Sequence, residues 1–189
     1  FVGCAFNRSN GTSPQKGVDI EPNNASTLVR DVVFESCRAE GNNLAGFSAA
    51  MGLVSGEMDE PFTATFNDCE ASGNQKDYLF EAGQDITGLL TVSNCVSRKP
   101  EQQAFFFDNW EITSKVENIT AIFPNRSNNS NYYRGSGVQI QVSNDDQRAG
   151  DIFIDGYTCI DDGQGWLYNV LQFGGPSNIE LGNVQIVGV

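Results

Sequence analysis

Short segments of alternating apolar and polar residues recur along the chain. The clearest is Gly17-Val18-Asp19-Ile20-Glu21-Pro22, where Val and Ile alternate with carboxylates between a Gly and a Pro. Strict alternation of this kind predicts a half-buried β-strand. No window of a dozen residues shows sustained helical periodicity free of Gly, Pro or Asn clusters. The pattern therefore predicts an all-β chain.

A repeat becomes visible when the chain is aligned on its cysteines. Residues 32–39, 64–71 and 90–97 each have an apolar residue, then Phe or Val, then Cys, then Ala or Ser at the same offsets. Looser copies follow, and a second series of apolar segments keeps nearly the same period of about thirty residues. The markers of the first series are Phe1, Phe34, Phe66, Val92, Ala121, Ile154 and Ile186, and those of the second are Ile20, Ala49, Phe80, Phe107, Ile140 and Leu171.

A repeat of roughly 20 to 50 residues is typical of solenoids and propellers. Here each repeat has two or three short strands separated by Asn/Gly/Ser-rich stretches, which favours a coil of parallel strands over a four-stranded blade. Each rung then buries its apolar side chains by stacking on its neighbours. We predict one domain over residues 1–189, with about six rungs, and expect it to be part of a longer solenoid.

The Cys-marked units, the segment from Gly17 to Asn23, and Asn at turns such as Asn42, Asn43 and Asn74 together resemble the right-handed parallel β-helix (pectin-lyase-like) family. The resemblance covers nearly the whole chain and implies an all-β, right-handed parallel β-helix. Members of that family include pectate lyases, polygalacturonases, alginate epimerases, phage tailspike depolymerases and structural or adhesive fibres. No active-site signature of the lyases or polygalacturonases is present in this sequence.

Composition narrows the function classes. The net charge of −13 argues against nucleic acid as a partner, and no apolar run is long enough for membrane insertion. The absence of His excludes Ser-His-Asp and Cys-His catalysis. The sequence opens at Phe1 in strand-like residues with no signal peptide, so we expect a mature or excised piece of a longer extracellular, cell-surface or virion-associated protein.

The stacking of rungs predicts which outward side chains lie next to each other. If Val18 and Ile20 point inward, Asp19 and Glu21 point outward, and equivalent positions on neighbouring rungs lie ~4.8 Å apart. The two outward columns then read Glu21, Ala50, Glu81, Asp108, Gln141, Gln172 and Asp19, Ser48, Leu79, Phe106, Gln139, Val170. The result is a polar and acidic stripe on an exposed sheet.

Two carboxylate pairs in this stripe match glycosidase geometry. Glu81 and Asp108 on adjacent rungs would be ~5 Å apart, as in a retaining enzyme, and Glu21 and Glu81 would be roughly 9–10 Å apart, nearer the inverting range. A polysaccharide or glycan would be the substrate, bound by side chains along the stripe. The candidates for binding are Asp19, Phe106, Trp110, Gln141 and Gln172, with Glu81, Asp108 and Glu21 as catalytic residues.

Each of these predicted functional sites also has a simpler structural explanation. A solvated strand face on an acidic protein explains the carboxylates and is the favoured alternative. Lyase chemistry is less attractive because Lys16, Lys76 and Arg134 are expected in turns beside the column. No cofactor is predicted. Ca²⁺ is the one ion considered, at Asp145-Asp146 or Asp161-Asp162, although no EF-hand spacing surrounds them.

The cysteines and sequons also allow two interpretations each. Cys4, Cys37, Cys69 and Cys95 are expected in one internal column, as a reduced ladder in preference to one or two disulfides. Six N-x-[ST] sequons fit either a glycosylated secreted protein or ordinary Asn/Ser-rich turns. They occur at Asn7, Asn10, Asn24, Asn118, Asn125 and Asn128.

Two functions are therefore expected from the sequence. The first is an extracellular carbohydrate-engaging β-helix, a tailspike-like depolymerase that hydrolyses a polysaccharide through its paired carboxylates. The second is a non-catalytic structural or adhesive β-helix in a fibre or surface assembly. A homotrimer or fibre fits either one.

Overall fold

A computed structural model gives the structure of the chain. It describes all residues except 53, 55–57, 82–85, 126–134, 143–149, 162–166, 168, 175–178, 182–183 and 189. For residues 179–181 and 184–188 it describes the backbone alone.

Within the described residues the chain forms nineteen strands and no helix. The strands divide among three sheets, which we call the first, second and third sheets. The first sheet contains β1 (Ala5–Asn7), β4 (Arg38–Glu40), β7 (Glu70–Ser72), β10 (Val96–Arg98), β13 (Thr120–Ile122), β16 (Tyr157–Asp161) and β19 (Val184–Gly188). The second contains β2 (Lys16–Ile20), β5 (Ala45–Ala50), β8 (Lys76–Glu81), β11 (Phe105–Asp108), β14 (Ser136–Gln141) and β17 (Asn169–Gly174). The third contains β3 (Val32–Glu35), β6 (Phe62–Asn67), β9 (Gly88–Ser93), β12 (Thr113–Glu117), β15 (Ile152–Asp155) and β18 (Ile179–Leu181).

The topology is that of a parallel β-helix. Each strand pairs in parallel with the strands three before and three after it, so the chain visits all three sheets once per rung. Among the described residues this stacking produces about six rungs, which confirms the predicted fold class.

The corner between the third and first sheets explains part of the sequence repeat. Wherever this corner is described, one of its residues has a positive φ, at Gly3, Ser36, Asp68, Asn94, Asn118 and Gly156. Gly, Asn and Asp tolerate this left-handed conformation better than other residues. The backbone ladder continues through the corner, because Ser36 N donates to Asn67 O at 3.0 Å and Asp68 N to Ser93 O at 3.0 Å.

Aromatic side chains stack from rung to rung inside the coil. Phe34 stacks on Phe66 with ring centroids 5.1 Å apart and an interplanar angle of 8°. Tyr78 stacks on Phe105 at 4.6 Å and 10°. Each ring covers its neighbour, so the core is continuous along the solenoid although no rung is hydrophobic enough to fold alone.

The structure corrects two markers of the first series. Val116, not Ala121, continues the Phe34–Phe66–Val92 column, and Leu181, not Ile186, pairs with Ile154. The predicted markers belong instead to the first sheet, where Ala121 pairs with Cys159, and Cys159 pairs with Ile186. These two copies lack the cysteine that fixed the alignment earlier in the chain.

Candidate functional site

In β2, the first strand of the second sheet, side chains do not alternate strictly between the inward and outward sides. Gly17 faces inward, because a Cβ there would lie 2.8 Å from both Phe6 O and Asn42 Nδ2. Val18 is also buried in the core. With two successive residues inward, Lys16 and Asp19 share the outer side, and Lys16 Nζ lies 3.1 Å from Asp19 Oδ1.

The predicted carboxylate column is present over four rungs. Ala50 pairs with Glu81, Glu81 with Asp108, and Asp108 with Gln141 in consecutive registers. The Glu81 side chain is 37% exposed, and Asp108 and Gln141 are half-buried. Asp108 Oδ1 accepts a hydrogen bond of 3.0 Å from Asn109 Nδ2. The structure therefore brings together Glu81, Asp108 and Gln141 as neighbours at the carboxyl ends of β8, β11 and β14.

A lysine reaches this column from two rungs away. Lys16 Nζ lies 3.7 Å from Glu81 Oε2, and its side chain is only 6% exposed. β5 lies between β2 and β8 in the sheet, so this ion pair spans one intervening strand. The expectation that Lys16 would lie in a turn beside the column is wrong, because Lys16 is the first residue of β2 and forms ion pairs with two of the candidate carboxylates.

Replacing this lysine tests whether the ion pairs are structural. Lys16→Met keeps the long apolar side chain but leaves Asp19 and Glu81 without their cation. We expect a loss of about 1–3 kcal/mol in the free energy of unfolding, because breaking a partly buried pair costs more than an exposed one contributes. Urea unfolding followed by intrinsic fluorescence measures the change. Lys115→Met on the exposed face of β12 is the matched control and should change stability by less than about 0.5 kcal/mol.

Most of the Asp19 row is covered rather than exposed. Ser48 and Leu79 are 0% exposed, Gln139 is 1% and Phe106 is 5%. Phe106 packs with Ala45 and Leu79, and Lys76 Nζ lies 5.0 Å from the centre of its ring. The prediction of Phe106 as an exposed platform is wrong, because neighbouring side chains cover the outer face of the sheet at this rung.

Trp110 and Gln172 also lie elsewhere than predicted. Trp110 is fully buried against Phe62 and Phe80, and its Nε1 donates to Ser114 Oγ at 2.8 Å, so it has no free ring face for a sugar. Gln172 pairs with Gln139, which moves it from the Glu21 column to the Asp19 row. Its Oε1 accepts from Ser136 Oγ at 2.8 Å. The Gln172 assignment failed because its marker Leu171 pairs with Val138 and not with Ile140, a shift of two residues.

Glu21 lies at a different feature, a cavity of about 510 Å³ at the first-rung end of the solenoid. It is exposed and follows directly after β2. Apolar side chains and a few charged ones line the cavity, among them Phe6, Val18, Ile20, Phe34, Asp19, Glu21 and Arg30. Sequence reasoning did not predict this cavity, because its lining joins β1, β2 and β3 with the segment that precedes β3.

A buried carboxyl group was also missed. Asp77 in β8 is fully buried, where Ser97 Oγ donates to its Oδ2 at 2.6 Å and Asn74 Nδ2 to its Oδ1 at 2.7 Å. Asn74 Oδ1 in turn accepts from Asn42 Nδ2 at 2.9 Å. Burial raises the pKa of Asp77 to about 7, although these hydrogen bonds oppose the rise. The Asn-x-x-Asp spacing was the available signal, because the Asn side chain can turn back onto the Asp within one corner.

The structure also bears on the predicted ion site and on the cysteines. Among the described residues, no group of three or more His, Cys, Asp or Glu side chains could hold a metal ion. Asp145, Asp146 and Asp162 lie outside the described residues, while Asp161 ends β16. All five cysteines are free thiols. Within the described part of the chain there is also no helix that could cross a membrane.

The sequons differ in exposure. Asn7, Asn10, Asn24 and Asn118 are exposed, whereas Asn125 is fully buried and Asn128 lies outside the described residues. A glycan on Asn125 is incompatible with this structure, because its amide has no path to solvent.

Comparisons with known proteins give no further assignment. No family model, curated protein sequence or solved structure matches the chain.

Proposed function

We propose that this chain is an extracellular β-helix that binds a glycan. The contact surface is formed by Glu81, Asp108 and Gln141 at the carboxyl ends of three adjacent strands of the second sheet. The observation that supports the proposal is the register of these residues on three consecutive rungs. Equivalent atoms on neighbouring rungs are separated by ~4.8 Å, close to the length of a sugar unit, so successive rungs can contact successive hydroxyl groups.

The charge of the surface favours a neutral polysaccharide. The chain has a net charge of −13, and Glu81 and Asp108 add two carboxylates at the proposed contact. An anionic polymer would be repelled, whereas neutral sugar hydroxyls can donate hydrogen bonds to carboxylate oxygens.

We further propose that Glu81 and Asp108 hydrolyse the bound glycan. Adjacent registers give a carboxyl separation of ~5 Å, which is the range of retaining glycosidases. Glu81 would be the nucleophile that attacks the anomeric carbon, and Lys16 Nζ lies 3.7 Å from its Oε2. Asp108 would then protonate the leaving oxygen and later remove a proton from the attacking water.

Conservative substitutions test both steps. Glu81→Gln and Asp108→Asn should each lower the rate of polysaccharide cleavage by about 100-fold or more, because each removes one of the two carboxyl groups. Reducing-end release from a panel of neutral polysaccharides measures the rate, and glycan microarrays measure binding. Glu117→Gln, an exposed carboxylate of β12 on the third sheet, is the matched control and should leave both unchanged.

The outcomes separate the two parts of the proposal. If the unmodified protein binds a glycan without cleaving it, the hydrolytic mechanism fails and the binding function stands. If it neither binds nor cleaves any polysaccharide in the panel, the whole proposal fails.

A structural or adhesive role is the second candidate, and apolar side chains at the cavity favour it. Phe1 and Leu28 line the cavity and are 66% and 59% exposed. Exposed apolar side chains grouped in one place are a ready surface for fibre or trimer assembly. Sedimentation at increasing protein concentration tests this role: self-association that Leu28→Ser abolishes supports it, and a monomer at all concentrations contradicts it.

A further inference from the structure

Four cysteines form a column at the corner between the third and first sheets. Each of them follows a residue of positive φ, and the backbone bonds keep them in register. Arg38 N donates to Cys4 O at 2.8 Å, Glu70 N to Cys37 O at 2.9 Å, and Val96 N to Cys69 O at 2.9 Å. Cys4, Cys37, Cys69 and Cys95 therefore occupy equivalent positions on four consecutive rungs.

The spacing of this column suits a disulfide between neighbours. Adjacent parallel rungs place equivalent Cα atoms ~4.8 Å apart, which is inside the range of roughly 4.4–6.8 Å found for disulfides. The thiols also lean toward the preceding rung. Cys37 Sγ lies 3.5 Å from Phe1 O, and Cys69 Sγ lies 3.5 Å from Phe34 O. The Cys37 sulfur thus lies between Glu35 O of its own rung, at 3.3 Å, and the rung that carries Cys4.

Access from solvent distinguishes one cysteine from the others. Cys4 is half-buried on the first rung, whereas Cys37 and Cys95 are 0% exposed and Cys69 is 1% exposed. The buried thiols differ in their pKa values. The pKa of Cys69 is raised by its hydrogen bond with Cys95 and by burial, whereas the same hydrogen bond lowers the pKa of Cys95. Burial raises the pKa of Cys159. An external reagent would therefore meet Cys4 first.

We propose that Cys4 and Cys37 are a redox pair that forms an intramolecular disulfide with a small organic disulfide as the oxidant. The Cys4 thiolate attacks one sulfur of the oxidant, and the other sulfur leaves as a thiolate that takes up a proton. Cys37 then loses its proton and attacks the Cys4 sulfur of the mixed disulfide, releasing the second small thiol. Two protein thiols are oxidised, and one small disulfide is reduced to two thiols.

The new bond would tie the rung of β1 to the rung of β4. β1 has three residues paired with β4, and a short strand with few backbone hydrogen bonds opens locally at low free-energy cost. A disulfide from Cys4 to Cys37 closes a loop that contains β1, β2 and β3, which reduces the freedom of the opened state. The pair would thus stabilise the first rung under oxidising conditions while the inner ladder stays reduced.

Peptide mapping of the full chain tests the proposal. The protein is incubated with oxidised glutathione at pH 8, acid-quenched, alkylated in denaturant and digested with trypsin. Cleavage after Arg8, Arg30 and Arg38 places Cys4 and Cys37 on separate short peptides. We expect one linked pair of these peptides, a loss of two thiols per chain, and alkylated Cys69, Cys95 and Cys159. Hydrogen exchange of the β1 amides should slow by at least about tenfold in the oxidised protein.

Two variants complete the design. Cys4→Ser should keep the Cys37 thiol free under the same treatment, whereas Cys159→Ala, on the sixth rung, should still lose two thiols per chain. A stable glutathione adduct on Cys4, a link from Cys4 to any other cysteine, a bond between two chains, or no reaction at all would each overturn the proposal. The measurement on the unmodified protein decides the matter even if a variant folds poorly.

Discussion

The free energy of unfolding should change by about 4 kcal/mol between pH 4 and pH 7 because of Asp77, and Asp77→Asn is expected to remove this pH dependence. The pKa of Asp77 is raised by burial from 3.8 to about 7 in the folded protein. In this window the folded state therefore binds more protons at this site than the unfolded state does. The contribution of Asp77 is fully favourable below its unfolded pKa, and stability is lost as the pH rises toward 7.

Asparagine is the suitable replacement because it is isosteric with a protonated carboxyl group. Its oxygen can accept from Asn74 Nδ2, and its amide can donate to Ser97 Oγ once that hydroxyl rotates. Urea midpoints at half-unit pH steps measure the free energy of unfolding. The difference between the unmodified protein and Asp77→Asn should change steadily from pH 4 to 7 and then level off.

The matched control is Asp59→Asn, which alters an exposed aspartate and should follow the unmodified curve. A parallel pair of curves for Asp77→Asn and the unmodified protein would contradict the assignment. So would a stability that rises across this pH window because of Asp77.

Phe66→Ala is expected to lower the free energy of unfolding by about 3–5 kcal/mol. Phe66 is 0% exposed and has ring contacts on both sides along the solenoid and across it. It stacks on Phe34 at 5.1 Å, meets Phe47 edge-on at 5.6 Å and lies 5.9 Å from Phe80. Truncation leaves a cavity that rigid neighbouring rungs cannot fill, because each is held by its own backbone ladder.

Denaturant unfolding measures this effect, with Phe153→Ala as the matched control. Phe153 lies on β15 of the same sheet but is 40% exposed, so its truncation should cost less than about 1 kcal/mol. Equal losses for the two variants would show that the aromatic stack contributes nothing beyond ordinary strand packing.

Much of the fold could be predicted from the sequence because a solenoid repeats one local rule. Cysteine after a turn residue marked the same corner on four rungs, and the register of Cys4, Cys37, Cys69 and Cys95 is confirmed. The repeat can no longer be aligned on cysteine where Ile119 and Val184 occupy the position of Cys95. The predicted markers Ala121 and Ile186 were displaced at those two copies for this reason.

The candidate site could be predicted only in part. The neighbours Glu81, Asp108 and Gln141 followed from spacing alone, because one strand and its register determine them. Trp110 and Phe106 were wrongly expected at the surface, since a sequence pattern assigns a side chain to a face but does not say what covers that face.

The sequence by itself thus determined the parallel stack, the inward columns and the row of carboxylates, since these depend on a period that every rung repeats. Only the tertiary structure decided the partners of single residues. It placed Lys16 on Glu81 across an intervening strand, and it buried Asp77 beneath Asn74 and Ser97. The physical reason is the inward pair Gly17 and Val18, which reverses the alternation of β2, together with contacts between side chains on different rungs that no local pattern records.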